Sequence, residues 1–363
     1  MTYSRDYLDD RRARSRKRRR LIAAIAGLVV VSAAGIAVFL LNRSTHIHHV
    51  VVVRAATPST TSNQPPASAS AEYHAADGAA SDKSVEAALA ATKSAHHDGT
   101  GAAASSGSVL TADASAGQLT PGVGVAVAAL GSGATQTLGD DGAAHGWSTT
   151  KVPVLVSLLR ARGSEGLTAQ ETSWAHAAIT ESDNQSVLAL FGDLERLKGG
   201  LSGASEYMES VLRLGGDTET SVAQGPPPPG AVTTFGQTEW SPLEAAKFFR
   251  ALALGCLLST SSQTNEVLGL MESIVPSESW GLGSAGFTSV AFKGGWGPEG
   301  GGYLVRQSGI VNPGSPDGVA VAIVVSAPSF AAGTETLTRT ASWLAKHLAS
   351  QSHSSSGACP TAE

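Results

Sequence analysis

The sequence predicts an α+β domain in which one antiparallel sheet is built from strands at the beginning and the end of the folded region. Two observations support this fold class. Runs rich in Val, Ala and Ile, typical of strands, lie at both ends of the region, whereas its centre repeats apolar residues at the three- and four-residue spacing of helices. We therefore expect a helical subdomain between the N-terminal and C-terminal strands.

The elements follow this pattern along the chain. The run GVGVAVAAL predicts a first strand at 122–130, and 131–139 is typical of a turn followed by a second strand. Helical spacing then predicts six helices, at 149–161, 168–180, 185–198, 203–214, 242–258 and 262–273. The C-terminal part returns to strands and closes with an amphipathic helix, at 290–296, 302–311, 318–327 and 338–348.

The first 41 residues differ in composition from the rest of the chain. Residues 1–20 carry a net charge of +6, which leaves −11 on the remainder, and residues 21–41 contain no charged side chain. A basic arm alone could bind nucleic acid, but an apolar run of roughly 30 Å indicates a transmembrane anchor with its basic side in the cytoplasm. A cleaved signal peptide is the alternative, although the apolar run is longer than such peptides usually have.

The sequence between this span and the domain is rich in Ala, Ser, Thr, Gly and Pro. It predicts a disordered tether at 42–117, a folded domain at 118–350 and a polar tail at 351–363. The plasma-membrane anchor would place the domain outside the cytoplasm, where a disulfide between Cys256 and Cys359 could survive, although the sequence does not pair them. We expect a monomer with no metal, organic cofactor or nucleic-acid partner.

A hydroxyl and an ammonium group lie one helical turn apart where the first predicted helix begins. Ser148 precedes Lys151 by three residues in GWSTTKVPVLV, so both side chains lie on one helix face. A serine is a weak nucleophile until a base accepts its proton, and a lysine in apolar surroundings has a lowered pKa and can do so. Taken alone, the pair is better explained as an N-capping serine and a snorkelling lysine.

Two further motifs accompany this pair in chain order. Ser182-Asp183-Asn184 precedes a predicted helix, and Lys293-Gly294-Gly295 lies on a late strand. Together with Ser148-x-x-Lys151 they resemble the S-x-x-K, S-D-N and K-T-G elements of the penicillin-recognising serine enzymes, most closely the class A β-lactamases. The resemblance extends over residues 122–348, outside the span and the tether.

The resemblance implies a role for each matching residue. Ser148 would be acylated, Lys151 would accept its proton, and Ser182 with Lys293 would pass a proton to the leaving nitrogen. Backbone N–H groups of Ser148 and Trp296 would form the oxyanion hole. The remaining implied substrate-binding residues are Asn184, Gly294, Gly295 and Arg306.

Two departures from the family pattern bear on the reaction. Gly294 replaces the hydroxyl residue of K-T-G. The E-P-x-L-N loop, whose glutamate activates the deacylating water, is missing between the S-D-N motif and Pro242. The carboxylates available there, Asp217, Glu219 and Glu239, are expected in solvated loop. An acyl-enzyme should therefore form but clear slowly.

Three functions fit this pattern. The first is a membrane-anchored serine hydrolase that opens β-lactams. The second uses the same acylation on D-alanyl peptides of peptidoglycan, which the missing glutamate favours. The third is a wall-binding or β-lactam-sensing module without turnover. All five reactive or substrate-binding side chains of the motifs are present, which favours the two enzymes over this module.

Overall fold

The computed structural model describes residues 108–111, 119–315, 317–349 and 357–361. Five strands form one antiparallel sheet in the order β2-β1-β7-β6-β5. They are β1 (Val123–Ala129), β2 (Thr135–Gly139), β5 (Val290–Glu299), β6 (Gly302–Val311) and β7 (Val319–Ala327). The first two come from the beginning of the domain and the last three from its end, which confirms the predicted α+β architecture.

Seven helices accompany the sheet among the described residues. They are α1 (Lys151–Arg162), α2 (Ala169–Thr180), α3 (Asn184–Lys198), α4 (Leu201–Leu214), α5 (Pro242–Ala253), α6 (Ser261–Met271) and α7 (Phe330–His347). Six of them lie between β2 and β5 in the chain, as the apolar spacing predicts. Asp183, Ser241 and Ser329 cap α3, α5 and α7 by accepting a backbone N–H.

The sheet separates two apolar clusters because successive strand residues face opposite sides. On β1, Ala126 and Ala128 belong to the cluster formed with α1 and α5, whereas Val125 and Val127 belong to the cluster beneath α7. Small side chains therefore face the helical subdomain and larger ones face α7. Both faces of the sheet are buried, which explains the nearly continuous apolar composition of β1 and β7.

Two helix boundaries differ from the sequence prediction by five residues or more, and one short strand pair is not predicted at all. The last helix begins at Phe330 rather than 338, with Gly333 close to Val305 on β6. Helix α5 ends at Ala253 rather than 258, because Gly255 takes a φ of +75° and turns the chain. A two-residue pair, β3 (Ala144–His145) with β4 (Glu239–Trp240), is too short to be predicted by periodicity.

The two ends of the described domain meet. Leu110 forms a bridge with Leu348, and Ala349 N donates to Val109 O at 2.9 Å, so residues that the sequence assigns to the tether pack against the domain. In the tail, Cys359 forms a disulfide with Cys256, a pairing that the sequence left open.

The predicted span at 21–41 and most of the predicted tether lie outside the described residues. No helix within the described ranges has both the length and the apolar character needed to cross a membrane.

Candidate active site

The proposed nucleophile lies in a tight turn that opens α1. Residues Trp147–Thr150 form a 3-10 turn that continues directly into the helix. Trp147 has a φ of +46°, which is unfavourable for a residue with a side chain. Thr150 Oγ1 donates to Trp147 O at 2.6 Å and holds the turn in this conformation. Ser148 therefore lies in a strained turn that a side-chain hydrogen bond stabilises.

Strand β5 approaches this turn through glycines on one face. A Cβ on Gly295 would lie 2.7 Å from Ser148 N, and one on Gly297 would lie 2.2 Å from the Trp147 ring. A larger residue at Gly295 would require a backbone shift, and one at Gly297 would require the Trp147 ring to move. Because the glycines alternate along the strand, this face of β5 carries no side chain where it meets the turn.

Lys151 lies buried at the centre of a hydrogen-bond network and is 1% exposed. Its Nζ donates to Asn184 Oδ1 at 2.8 Å and to Ser182 O at 2.5 Å, and it lies 3.4 Å from Ser182 Oγ. Burial, with a further contribution from the positive charge of Lys293, lowers the pKa of Lys151 to about 7. A large neutral fraction can then accept a proton near neutral pH.

Ser182 connects Lys151 to Lys293. Lys293 Nζ donates to Ser182 Oγ at 2.9 Å and to Gly294 O at 3.1 Å. Burial lowers the pKa of Lys293 to about 8. Ser182 has a φ of +59°, a second strained residue at the site, while Asp183 turns away to accept Ser186 N at 2.7 Å. The capping contact fixes the start of α3 and leaves Ser182 and Asn184 for the network.

A cavity of about 350 Å³ is lined by several of the predicted site residues, whereas Lys151, Lys293, Gly294 and Gly295 are not among its lining residues. Ser148, Ser182, Asn184 and Trp296 line it, and the network places both lysines beside Ser182. The other residues lining this cavity are Trp147, Glu181, Gly230, Val232, Thr233, Gln237 and Glu278. The three motifs thus converge from separate parts of the chain.

Comparison with known proteins identifies the fold. No protein-family model and no curated protein sequence matches the chain. A β-lactamase structure from Xanthomonas campestris pv. campestris matches at a TM-score of 0.50 and 18% identity, covering 62% of this chain and 92% of its own. The chain has a β-lactamase-like fold.

Further solved structures of this fold give similar values. A class A β-lactamase from Mycobacterium abscessus is 19% identical, with a TM-score of 0.49, and covers 62% of this chain and 92% of its own. A β-lactamase from Chitinophaga pinensis is also 19% identical, with a TM-score of 0.48 and coverage of 61% and 92%.

Within the β-lactamase-like fold, Arg306 is not where the sequence prediction put it. Its side chain is fully buried, and Nη1 donates to the carbonyl oxygens of Ala144, His145 and Trp240 at 3.0 to 3.1 Å. Arg306 lies opposite Gly295 in the β5–β6 register, one strand further from the cavity edge. The prediction that Arg306 binds substrate is wrong, because its guanidinium group hydrogen-bonds to the β3–β4 pair instead.

The prediction that Asp217 lies in a solvated loop is also wrong. Asp217 is fully buried rather than solvated, and it accepts Trp240 Nε1 at 2.9 Å and Thr220 N at 2.9 Å. Glu219 and Glu239 are exposed, as predicted. None of these three carboxylates lines the cavity, so the segment that carries the deacylating glutamate in the family contributes none here.

Glu278 is the residue at the site that sequence reasoning missed. It lies in the short turn Pro276–Glu278 between α6 and β5, lines the cavity and interacts electrostatically with both lysines. Burial raises its pKa, while the two lysines act in the opposite direction. Neither a motif nor periodicity marks this position, so only the folded arrangement reveals it.

Proposed function

We propose that this protein is a membrane-anchored serine hydrolase of the β-lactamase-like kind, which forms an acyl-enzyme on Ser148. Its acyl donors would be β-lactams or D-alanyl amides of peptidoglycan, and the predicted span at 21–41 would hold the domain outside the cytoplasm. The observation that supports this best is the joining of Lys151, Ser182 and Lys293 in one buried network beside the cavity that Ser148 lines.

Acylation would begin with loss of the Ser148 proton to neutral Lys151, one turn further along the same helical segment. Ser148 Oγ then bonds to the substrate carbonyl carbon, and backbone N–H groups of Ser148 and Trp296 would stabilise the oxyanion. As the carbon–nitrogen bond breaks, Ser182 gives its proton to the leaving nitrogen and is reprotonated by Lys293, at 2.9 Å.

Deacylation would be slow by comparison. The loop between α4 and β4 contributes Gly230, Val232, Thr233 and Gln237 to the cavity, and none of these is a base. The carboxylates that line the cavity, Glu181 and Glu278, come from other segments. We infer that neither takes over the role of the missing loop glutamate, so an ester at Ser148 would accumulate. This feature favours a peptidase or an enzyme trapped by β-lactams as the second candidate, over a fast β-lactamase.

The test is labelling of the full-length chain with a fluorescent penicillin, compared with Ser148→Ala. A matched control is Ser157→Ala, since Ser157 lies buried on α1, outside the residues that line the cavity. We expect persistent labelling of the wild type and of Ser157→Ala, and none of Ser148→Ala. Rapid ring opening without accumulation would identify a β-lactamase. Absent labelling, or labelling that survives Ser148→Ala, would exclude the proposal and favour a binding module.

A further inference from the structure

Glu278 is held against the cavity by the backbone. Its turn begins at Val275, whose N–H donates to Thr180 O at 3.0 Å, and Glu278 N donates back to Val275 O at 3.0 Å. Thr180 ends α2, two residues before Ser182. The carboxylate is thereby fixed to the segment that carries the S-D-N motif.

The lysine protons near the cavity are largely taken by protein acceptors. Lys151 has Ser182 O and Asn184 Oδ1 as close acceptors, with Ser182 Oγ at 3.4 Å. Lys293 gives two protons, to Ser182 Oγ and to Gly294 O. An ammonium group has three protons, so one remains on Lys293 for a ligand.

The acceptor side is different. Glu278 Oε2 is buried and has no hydrogen-bond partner among the described residues. A buried polar atom without a partner is costly, so a donor supplied by a ligand would be favourable there. The cavity therefore offers an unpaired carboxylate oxygen to a hydrogen-bond donor of a ligand.

The charged groups near the cavity also favour a ligand that carries a hydrogen-bond donor. The titratable groups facing it or beside it are Lys151, Lys293, Glu181, Glu278 and Asp183. Both lysine pKa values are lowered, to about 7 and about 8, so the positive charge near neutral pH is reduced mainly at Lys151. Arg306 adds no donor to the cavity, because it is fully buried and is not among the residues that line it.

We propose that Glu278 accepts a hydrogen bond from an N–H or ammonium group of the substrate. The cavity would then prefer substrates with such a group beside Glu278 to substrates with a carboxylate beside Glu278. The inference rests on the proposed function and narrows its substrates. The preferred substrates would be β-lactams or D-alanyl compounds whose carboxylate is amidated or replaced by an amine.

The experiment compares benzylpenicillin with its primary carboxamide on the full-length chain. Acylation rates at Ser148 are followed by intact-protein mass spectrometry and divided by each compound's hydrolysis rate in buffer. We expect the corrected carboxamide rate to equal or exceed the acid rate in the wild type. In Glu278→Gln the ratio of carboxamide to acid should fall about tenfold. Glu335→Gln, an exposed residue of α7 paired with Arg339, should leave the ratio unchanged.

Each outcome separates the two claims. A wild-type preference of tenfold or more for the acid, or an unchanged ratio in Glu278→Gln, would overturn the role of Glu278 while leaving acylation in place. Acylation by neither compound would overturn the proposed function and this inference together. The wild-type comparison holds even where Glu278→Gln fails to fold, and Trp147 and Trp296 fluorescence in Ser148→Ala reports binding of both compounds without chemistry.

Discussion

At the scale of single residues, the site depends on two lysines that have no carboxylate at ion-pair distance in the described part of the chain. Lys151 and Lys293 are 1% and 0% exposed, and burial is the main cause of their lowered pKa values. A lysine with an ordinary pKa would be protonated at pH 7 and could not accept a proton from serine. The low exposure of these side chains therefore sets the pH at which the site can work.

The pH profile of acylation follows from these values. Lys151 must be neutral to act as base, so the rate should rise with pH through about 7. Lys293 must be charged to resupply the proton, so the rate should fall above about 8. Stopped-flow acylation between pH 5.5 and 9.5, corrected for buffer hydrolysis of the probe, measures this. A rate that stays flat across the range would contradict it.

The buried carboxyl groups of Glu244 and Asp217 lead to a second prediction at this scale. Burial and the neighbouring Asp217 raise the pKa of Glu244 to about 7. Because the folded-state pKa lies above the unfolded value of about 4.3, the proton stabilises the fold at low pH. That stability is lost as pH rises through about 7. The free energy of unfolding in urea should therefore fall between pH 5 and 8, and fall less in Glu244→Gln. Equal slopes in the two proteins would refute the role of this pair.

Residue identities could be predicted where chemistry fixes a local pattern, and not elsewhere. Ser148, Lys151, Ser182 and Lys293 belong to short motifs, and the structure brings them together. Arg306 and Glu278 belong to none, because the side of a strand or turn on which they act depends on register and on neighbouring segments. The sequence alone could not therefore place either one.

At the scale of elements, β5 is the strand that contacts the turn carrying the proposed nucleophile, Ser148. It is the edge strand of the sheet, and Gly295 and Gly297 let it contact the turn at Trp147–Thr150. The apolar spacing predicted most helices well, since a helix packed on one side repeats its apolar residues at a fixed interval. It missed the beginning of α7, where Gly333 serves close packing on β6.

Replacing Gly295 with alanine should test the contact between β5 and the turn. The new Cβ would lie 2.7 Å from Ser148 N, so strand and turn must separate. We expect acylation to fall at least 100-fold, in line with loss of one oxyanion donor. Gly192→Ala on α3, where nothing lies within 4 Å, is the matched control and should acylate at the wild-type rate. Wild-type acylation by Gly295→Ala would show that the close approach is unimportant.

At the scale of the whole molecule, the tail is fastened to the helical subdomain by the Cys256–Cys359 disulfide. The two residues are separated by 103 positions, so the bridge constrains most of the domain in its unfolded state. Sequence spacing could not pair them, because the pairing depends on where the tail returns after α7. Neither cysteine lines the cavity.

Removing the bridge should lower stability without removing activity. Cys256→Ser with Cys359→Ser is expected to reduce the free energy of unfolding by about 2–5 kcal/mol, the range for closing a loop of this size. Urea unfolding of the double variant against the oxidised wild type measures the loss, and penicillin labelling at 20 °C checks the site. An unchanged midpoint would mean that the bridge adds no stability.

Because the two ends of the described domain lie side by side, the domain is suited to circular permutation. Val109 and Ala349 share a hydrogen bond, so a short linker could join these ends covalently. The exposed turn Gly163–Glu165 lies away from the cavity and could serve as a new pair of termini. A circular permutant made this way would carry any N-terminal extension on the helical subdomain and leave Lys151, Ser182 and Lys293 in their network.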